Sequence, residues 1–426
     1  MLTSAIAPSA SLFRRIRLNL FLALPLFSTA ASSPLASLDR EVADPAALED
    51  LAESPPISPE PELPIAPSRV RAPPLTSAKP LSQTEDLLSR AVMGPDGRFH
   101  LEWDGAMRTL TVDAQLQERL VRILRDYQTP YAAVVVLEPA TGKVLAMAEH
   151  SARDPKMRGL TTKAIYPAAS IFKIVTASAL LDAGVKPADS ECFHGGKRRI
   201  SEKLLTDSGR DQTCYSLETA LAKSANVVFA KMTQKHLTQE QLKARAGEFF
   251  FNRPIAFPVP TDPSLASIPE DPLGLANAGS GFGDVFLSPL HAAGIAAIAA
   301  NGGMWRPPVL FEGESGEATQ VISRDNAETL ARMMADTIVE GTARRIFRQR
   351  GFQIEGAAGK TGCLADHNPY RDYSWFVGFA PIAGPEVAVA AVVVNDQKWR
   401  IRGTWLGREA LRIALASRPG QLARGP

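Results

Sequence analysis

Residues 386–395, near the end of the chain, run almost unbroken through valine and alanine, and they constrain the fold more than any other stretch. A strand with one wet face alternates apolar and polar residues, so a continuous apolar run reads as a strand covered on both faces, inside a sheet. Further strand candidates surround it. Residues 357–363 and 374–381 precede it, and 131–137 and 143–147 lie far upstream, joined by Glu138-Pro139-Ala140-Thr141-Gly142, which reads as a hairpin turn. An amphipathic helix, with Leu116, Leu120, Val121, Ile123 and Leu124 at helical spacing, runs from a capping Asp113 to Tyr127, and a last helix covers 405–416. Helices and polar loops dominate 170–338. Strands, then helices, then strands again predict an α/β chain of the α+β type: a five-stranded antiparallel sheet flanked by terminal helices, with a mainly helical lobe.

The first quarter of the chain adds little to that core. Arg14, Arg15 and Arg17 precede an apolar stretch at 18–27 and the small residues Ser28-Thr29-Ala30-Ala31-Ser32, the layout of an export signal. The apolar part is short of the roughly twenty residues needed to span a bilayer. Residues 1–31 therefore read as a signal peptide or a short membrane anchor. No cysteine precedes Cys192, which excludes a lipid-modified cysteine near the start. Residues 32–95 are acidic and then proline-rich, a composition that builds no packed core and reads as a disordered linker. Folded structure is expected from about His100, as one domain over 100–417 with a flexible tail at 418–426. The 47 basic and 45 acidic side chains nearly balance, so nothing in the charge points to a nucleic-acid partner.

Three short motifs stand in order along the domain: Ser170-Ile171-Phe172-Lys173, Ser224-Ala225-Asn226 and Lys360-Thr361-Gly362. Ser170 opens an apolar helix expected to end at Gly184, and Lys173, three residues on, lies on the same face, where its amine can reach the hydroxyl. A lysine becomes a useful base only when burial or a second cation lowers its pKa; Ile171, Phe172, Ile174 and Val175 supply the first and Lys360 can supply the second. Ser224 and Asn226 can face a cleft from a bend between helices, the hydroxyl relaying a proton and the amide holding the Lys173 amine. Gly359-Lys360-Thr361 looks like the end of a nucleotide-binding loop, but Ile354 stands where that loop requires glycine. On a strand beside Ser170, Lys360 can fix a substrate carboxylate while Gly362 lets the substrate backbone approach, and the N–H groups of Ser170 and Cys363 can form an oxyanion hole.

Taken together the motifs are those of penicillin-binding proteins and class A β-lactamases. The chain resembles a penicillin-binding protein transpeptidase domain over 109–417, and the likeness extends to Thr109-Leu110-Thr111-Val112-Asp113, Ala140-Thr141-Gly142-Lys143, Leu287-Ser288-Pro289-Leu290, Gly341-Thr342-Ala343 and Trp375-Phe376-Val377-Gly378. The resemblance implies Ser170 as nucleophile, Lys173 as its base, Ser224 and Asn226 as the second catalytic element, and Lys360 with Thr361 for the substrate carboxylate. It implies a penicillin-inhibited D,D-transpeptidase of peptidoglycan stem peptides that needs no cofactor or metal. Such a protein works in the periplasm or on the outer face of the cytoplasmic membrane, beside other cell-wall synthesis proteins. Cys363 departs from the pattern, since the family usually has threonine or serine there. Export permits disulfides, so Cys192 and Cys214 either form a bridge stapling the segment between the first two motifs or remain as two free thiols.

Other readings stay open at this point. Water in place of an acceptor amine makes the same acyl-enzyme a D,D-carboxypeptidase. A β-lactamase needs a fast deacylating group, often a glutamate, and Glu270-Asp271-Pro272-Leu273-Gly274 has Gly274 where such a loop expects asparagine. A β-lactam sensor or non-catalytic cell-wall scaffold predicts decay of a catalytic side chain, and none is lost. Gly279-Ser280-Gly281-Phe282-Gly283 lacks the preceding strand of a dinucleotide site and reads as a tight loop. A glycosyltransferase partner domain would need far more folded chain than is expected before His100.

Overall fold

Asp113 accepts a hydrogen bond from the Leu116 N–H and starts helix α1 (Ala114–Asp126), as the sequence predicts. This computed structural model describes residues 88–196, 199–349 and 356–417; the segment read as an export signal, the linker up to residue 87 and the tail at 418–426 lie outside the described residues. The hairpin follows as β1 (Tyr131–Leu137) and β2 (Val144–His150). Next come helix α2 (Lys173–Asp182), strands β3 (Ser190–Phe193) and β4 (Thr213–Ser216), and helices α3 (Leu217–Lys223) and α4 (Asn226–His236). Helices α5 (Pro272–Gly279), α6 (Pro289–Ala300) and α7 (Arg324–Val339) complete the lobe. The chain then returns to the sheet as β5 (Ala358–His367), β6 (Tyr370–Ala380) and β7 (Val387–Asn395), and closes with helix α8 (Gly403–Ala416).

The main sheet has the order β5-β6-β7-β1-β2, each neighbouring pair antiparallel. Its middle strand is the valine and alanine run. Ala388, Ala390, Val392 and Val394 of β7 join the core shared with the helical lobe, while Val387, Val389, Ala391 and Val393 join the core that includes residues of α1 and α8. Both faces are dry, which is why no polar residue interrupts the strand. Burying each such valine contributes about 1.5–3 kcal/mol relative to exposure, so a single charge introduced here would break the sheet at its centre. Strand β5, by contrast, has no neighbouring strand on its outer side among the described residues, and that edge carries the third motif.

Two expectations change. The ordered chain begins before His100, and the linker does not run to 95: a 3-10 turn at Leu88–Arg90 and a three-stranded sheet of Val92–Met93, Phe99–Trp103 and Ala106–Thr109 precede α1. Strands this short give too few residues for an alternating pattern to show. Strands β5 and β6 also extend toward each other through Asp366 and Tyr370, so 358–380 is one long hairpin. The outer half of β5 is partly or fully exposed, so the apolar pattern marks only the inner parts of the hairpin as strands.

Cys192 and Cys214 sit opposite each other across β3 and β4 and form the disulfide. Beneath that hairpin the fully buried Lys231 of α4 donates to Cys192 O at 2.8 Å, to Asp211 at 2.7 Å and to Asp207 at 3.0 Å. A buried ammonium left unpaired would be strongly destabilising, so these contacts fasten the hairpin to the helix that begins with Asn226.

Candidate active site

Ser170 lies in a single 3-10 turn, Ala169–Phe172, directly before α2. The sequence placed it at the start of the helix itself. Instead the chain enters through Ala169 at φ +48°, a left-handed conformation that costs a residue with a Cβ about 1–2 kcal/mol. Surrounding contacts hold the turn there. The Trp375 Nε1–H of β6 donates to Pro167 O at 2.9 Å, and the Ala168 N–H donates to Val285 O at 2.8 Å. On a third side lies Gly281, so close that a Cβ built on it would stand 2.0 Å from Ala169 O. Strain at one residue, held by neighbours on several sides, fixes where the Ser170 hydroxyl stands.

Lys173, the first residue of α2, is fully buried. Its Nζ is 2.8 Å from Ser170 Oγ, 2.7 Å from Asn226 Oδ1 and 2.7 Å from Ser280 O. A protonated amine can donate to all three. A neutral amine has two N–H groups, which suit Asn226 and Ser280, and one lone pair, which then faces the Ser170 hydroxyl proton. The electrostatics favour the neutral form: burial, and then the charge of Lys360, push the Lys173 pKa well below its usual value. Burial alone brings Lys360 down to about 7.

Ser224 ends α3 in the left-handed region, φ +56°, and this bend puts it and Asn226, the first residue of α4, in the same cleft. The Lys360 Nζ donates to Ser224 Oγ at 2.9 Å and to Thr361 O at 2.8 Å. Gly362 faces the nucleophile turn; a Cβ there would stand 3.2 Å from the Ile171 side chain. All three motifs thus meet in one place. The hydroxyl of Thr361 lies 2.5 Å from that of Thr342, whose N–H in turn donates to Ala222 O. Thr342 therefore links the end of α3 to the sheet edge.

Cys363, the residue after the third motif, is exposed, and its thiol donates to Asp372 on the neighbouring strand at 3.3 Å. Burial of the sulfur's inner side and then the Asp372 carboxylate push the thiol up to about 11. At neutral pH it is a thiol and a poor nucleophile. Asp366 and His367, its acidic and imidazole neighbours in sequence, continue along β5 and pair with Arg371 and Tyr370.

One site group was not foreseen. The Ser280 carbonyl, a ligand of Lys173, belongs to the glycine-rich loop after α5, where Ser280 Oγ also donates to Asn226 O at 2.8 Å. The only hint in the sequence was the loop's glycines. Glu270, weighed as a deacylating group, is exposed just ahead of α5, where Asp271 caps that helix. Among the described residues no group of three or more His, Cys, Asp or Glu could hold a metal ion.

The model of the penicillin binding protein transpeptidase domain matches residues 132–408 of this chain. Over 333 residues the chain is 30% identical to the peptidoglycan D,D-transpeptidase PbpA of Mycolicibacterium smegmatis, an alignment that covers 66% of this chain and 67% of that protein. The protein of the same name from Mycobacterium tuberculosis is 29% identical over 342 residues, 67% of each chain. Among solved structures, penicillin-binding protein A from M. tuberculosis in its imipenem acyl-enzyme complex superposes with a TM-score of 0.60 at 24% identity, covering 78% of this chain and 82% of that one. The D,D-transpeptidase domain of a peptidoglycan glycosyltransferase from Eggerthella lenta gives 0.62 at 23% identity, over 79% and 92%. These two likenesses establish the fold.

Proposed function

This chain belongs to the penicillin-binding protein transpeptidase family, and from that premise we propose that it is a D,D-transpeptidase, cross-linking peptidoglycan stem peptides through an acyl-enzyme on Ser170. The observation that carries the proposal is the buried Lys173 amine, held by two acceptors with Ser170 Oγ as its third neighbour at 2.8 Å. Neutral Lys173 takes the Ser170 proton as Oγ attacks the carbonyl of the penultimate D-Ala. The oxyanion that forms is stabilised by the N–H groups of Ser170 and Cys363. Charged Lys360 and the Thr361 hydroxyl hold the terminal carboxylate. Ser224, bonded to Lys360, gives its hydroxyl proton to the departing amine and regains one from that which Lys173 took, so D-Ala leaves and Lys173 is neutral again. An amine from a second stem peptide then attacks the ester, forms the cross-link and frees Ser170. Penicillin acylates the same hydroxyl and stops there.

The chemistry needs an exported protein, in the periplasm or at the outer face of the cytoplasmic membrane. That placement rests on residues 1–31, read as a signal peptide or anchor. No helix among the described residues is long and apolar enough to cross a membrane.

Incubation of the purified chain with pentapeptide stem monomers, followed by mass analysis, tests the proposal. Cross-linked dimers with release of D-Ala are expected. Trimmed monomers alone would make the chain a carboxypeptidase and contradict the transpeptidase reading.

A pH profile is also expected. Lys360, brought down to about 7, is a cation below that pH and neutral above it. Substrate carboxylate binding therefore weakens as the pH rises through 7, while a neutral Lys173 forms as the pH rises through its own depressed pKa. The plot of kcat/KM, which reports the free enzyme, is bell-shaped, with its alkaline limb set by Lys360. In Lys360→Arg the guanidinium stays charged, so the alkaline limb should vanish from the profile even if the plateau is lower.

A further inference from the structure

A second cavity, of about 630 Å³, is lined by β2, α1, the loop after β2 and the segment around Phe257, and none of its lining residues belongs to the Ser170 site. That size is within the roughly 300–1,000 Å³ of small-molecule sites. Its walls are apolar and polar in nearly equal part, the apolar half including Phe99, Val121, Met147 and Phe257. Its polar lining carries nitrogen donors and positive charge: Arg125, His150 and Arg158. The buried His150 Nε2 has no hydrogen-bond partner. Arg158 directs one nitrogen, Nη1, to Pro155 O at 2.7 Å and Met157 O at 2.9 Å, and Arg125 is exposed.

The three groups line the same cavity, and burial and then the charges of Arg125 and Arg158 lower the His150 pKa. Glu149, the carboxylate among the described lining residues, feels the charge of Arg158 but not that of Arg125. Its two oxygens accept from the Gly159 N–H at 2.9 Å and the Thr161 N–H at 3.2 Å, where it ties down the loop that leads to the nucleophile turn. Two guanidinium groups and a buried imidazole nitrogen without a partner thus face one cavity, where an anion can supply the missing hydrogen bond and the opposite charge.

We propose that this cavity binds an amphipathic anion, a carboxylate or phosphate monoester carried on a medium-length apolar chain. The apolar body lies against Phe99, Met147 and Phe257. The anionic head takes the free nitrogens of Arg158 and Arg125 and the N–H of His150.

Titration calorimetry on the full chain tests this with octanoate, octan-1-ol and inorganic phosphate as probes. Octanoate is expected to bind once per chain. Octan-1-ol, which lacks the charge, and phosphate, which lacks the chain, should each bind at least about tenfold more weakly. Arg125→Glu should weaken octanoate by about tenfold or more while fluorescent penicillin labels it at the wild-type rate, which shows that the variant is folded. Absence of octanoate binding, equal binding of octanoate and octan-1-ol, equal binding of octanoate and phosphate, or unchanged octanoate affinity in Arg125→Glu would each overturn the proposal.

Discussion

Lys173→Ala is expected to slow acylation of Ser170 by about 10³-fold, the middle of the range for loss of a positioned base. The effect is large because two functions go at once. The base for the Ser170 proton disappears, and so does the nitrogen that joins Asn226 Oδ1 to Ser280 O. Leaving buried acceptors without a donor costs about 1–3 kcal/mol each. Some of that is returned, since a buried amine is itself costly to keep. The melting temperature should therefore move far less than the rate. Lys173→Arg should not restore activity, because a guanidinium cannot be deprotonated in the working pH range. Stopped-flow acylation by a chromogenic cephalosporin measures the rate, and a Lys173→Ala rate within about tenfold of wild type would remove lysine from the role of base.

Gly281→Ala should slow acylation by about 10²-fold through geometry alone, a loss of the size that follows a displacement of about 1 Å at a reacting group. A Cβ on Gly281 would stand 2.0 Å from Ala169 O, 2.6 Å from Ala169 C and 3.2 Å from Ser170 N. Those atoms are backbone, so no side chain can swing aside; the nucleophile turn itself must shift. Gly281 also has φ +86°, which disfavours a side chain by about 1 kcal/mol. Gly283 provides the control. It has φ +82° in the same loop, but a Cβ there meets nothing within 4 Å. Gly283→Ala should carry only the conformational cost and acylate near the wild-type rate. Equal rates for the two variants would show that the loop does not position Ser170.

Much of this site was legible in the chain because its chemistry is carried by side chains at helical or strand spacing. Ser170 and Lys173 had to share a face, Ser224 and Asn226 had to flank a bend, and the structure brings both pairs to one cleft with Lys360. The Ser280 carbonyl was hidden for the opposite reason. Every residue has a carbonyl, so its use as a ligand leaves no mark on residue type. Cys363 posed a different problem: strand alternation says which residues share a face, but the partner of its thiol depends on the register of β5 against β6, which places Asp372 nearby. The nucleophile turn was misplaced by one element because a 3-10 turn and the first turn of a helix have nearly the same apolar spacing. In the fold, the β7 run predicted a two-faced strand directly, since burial on both sides is written in its composition. The short strands before α1 had no such run to reveal them.

The most direct test of covalent catalysis at Ser170 is intact mass analysis after penicillin treatment, followed by mapping of the modified peptide. One penicilloyl group per chain, on the peptide containing Ser170 and missing from Ser170→Ala, is the expected result. An adduct on Cys363, an adduct that persists in Ser170→Ala, or an unmodified wild-type chain would contradict it.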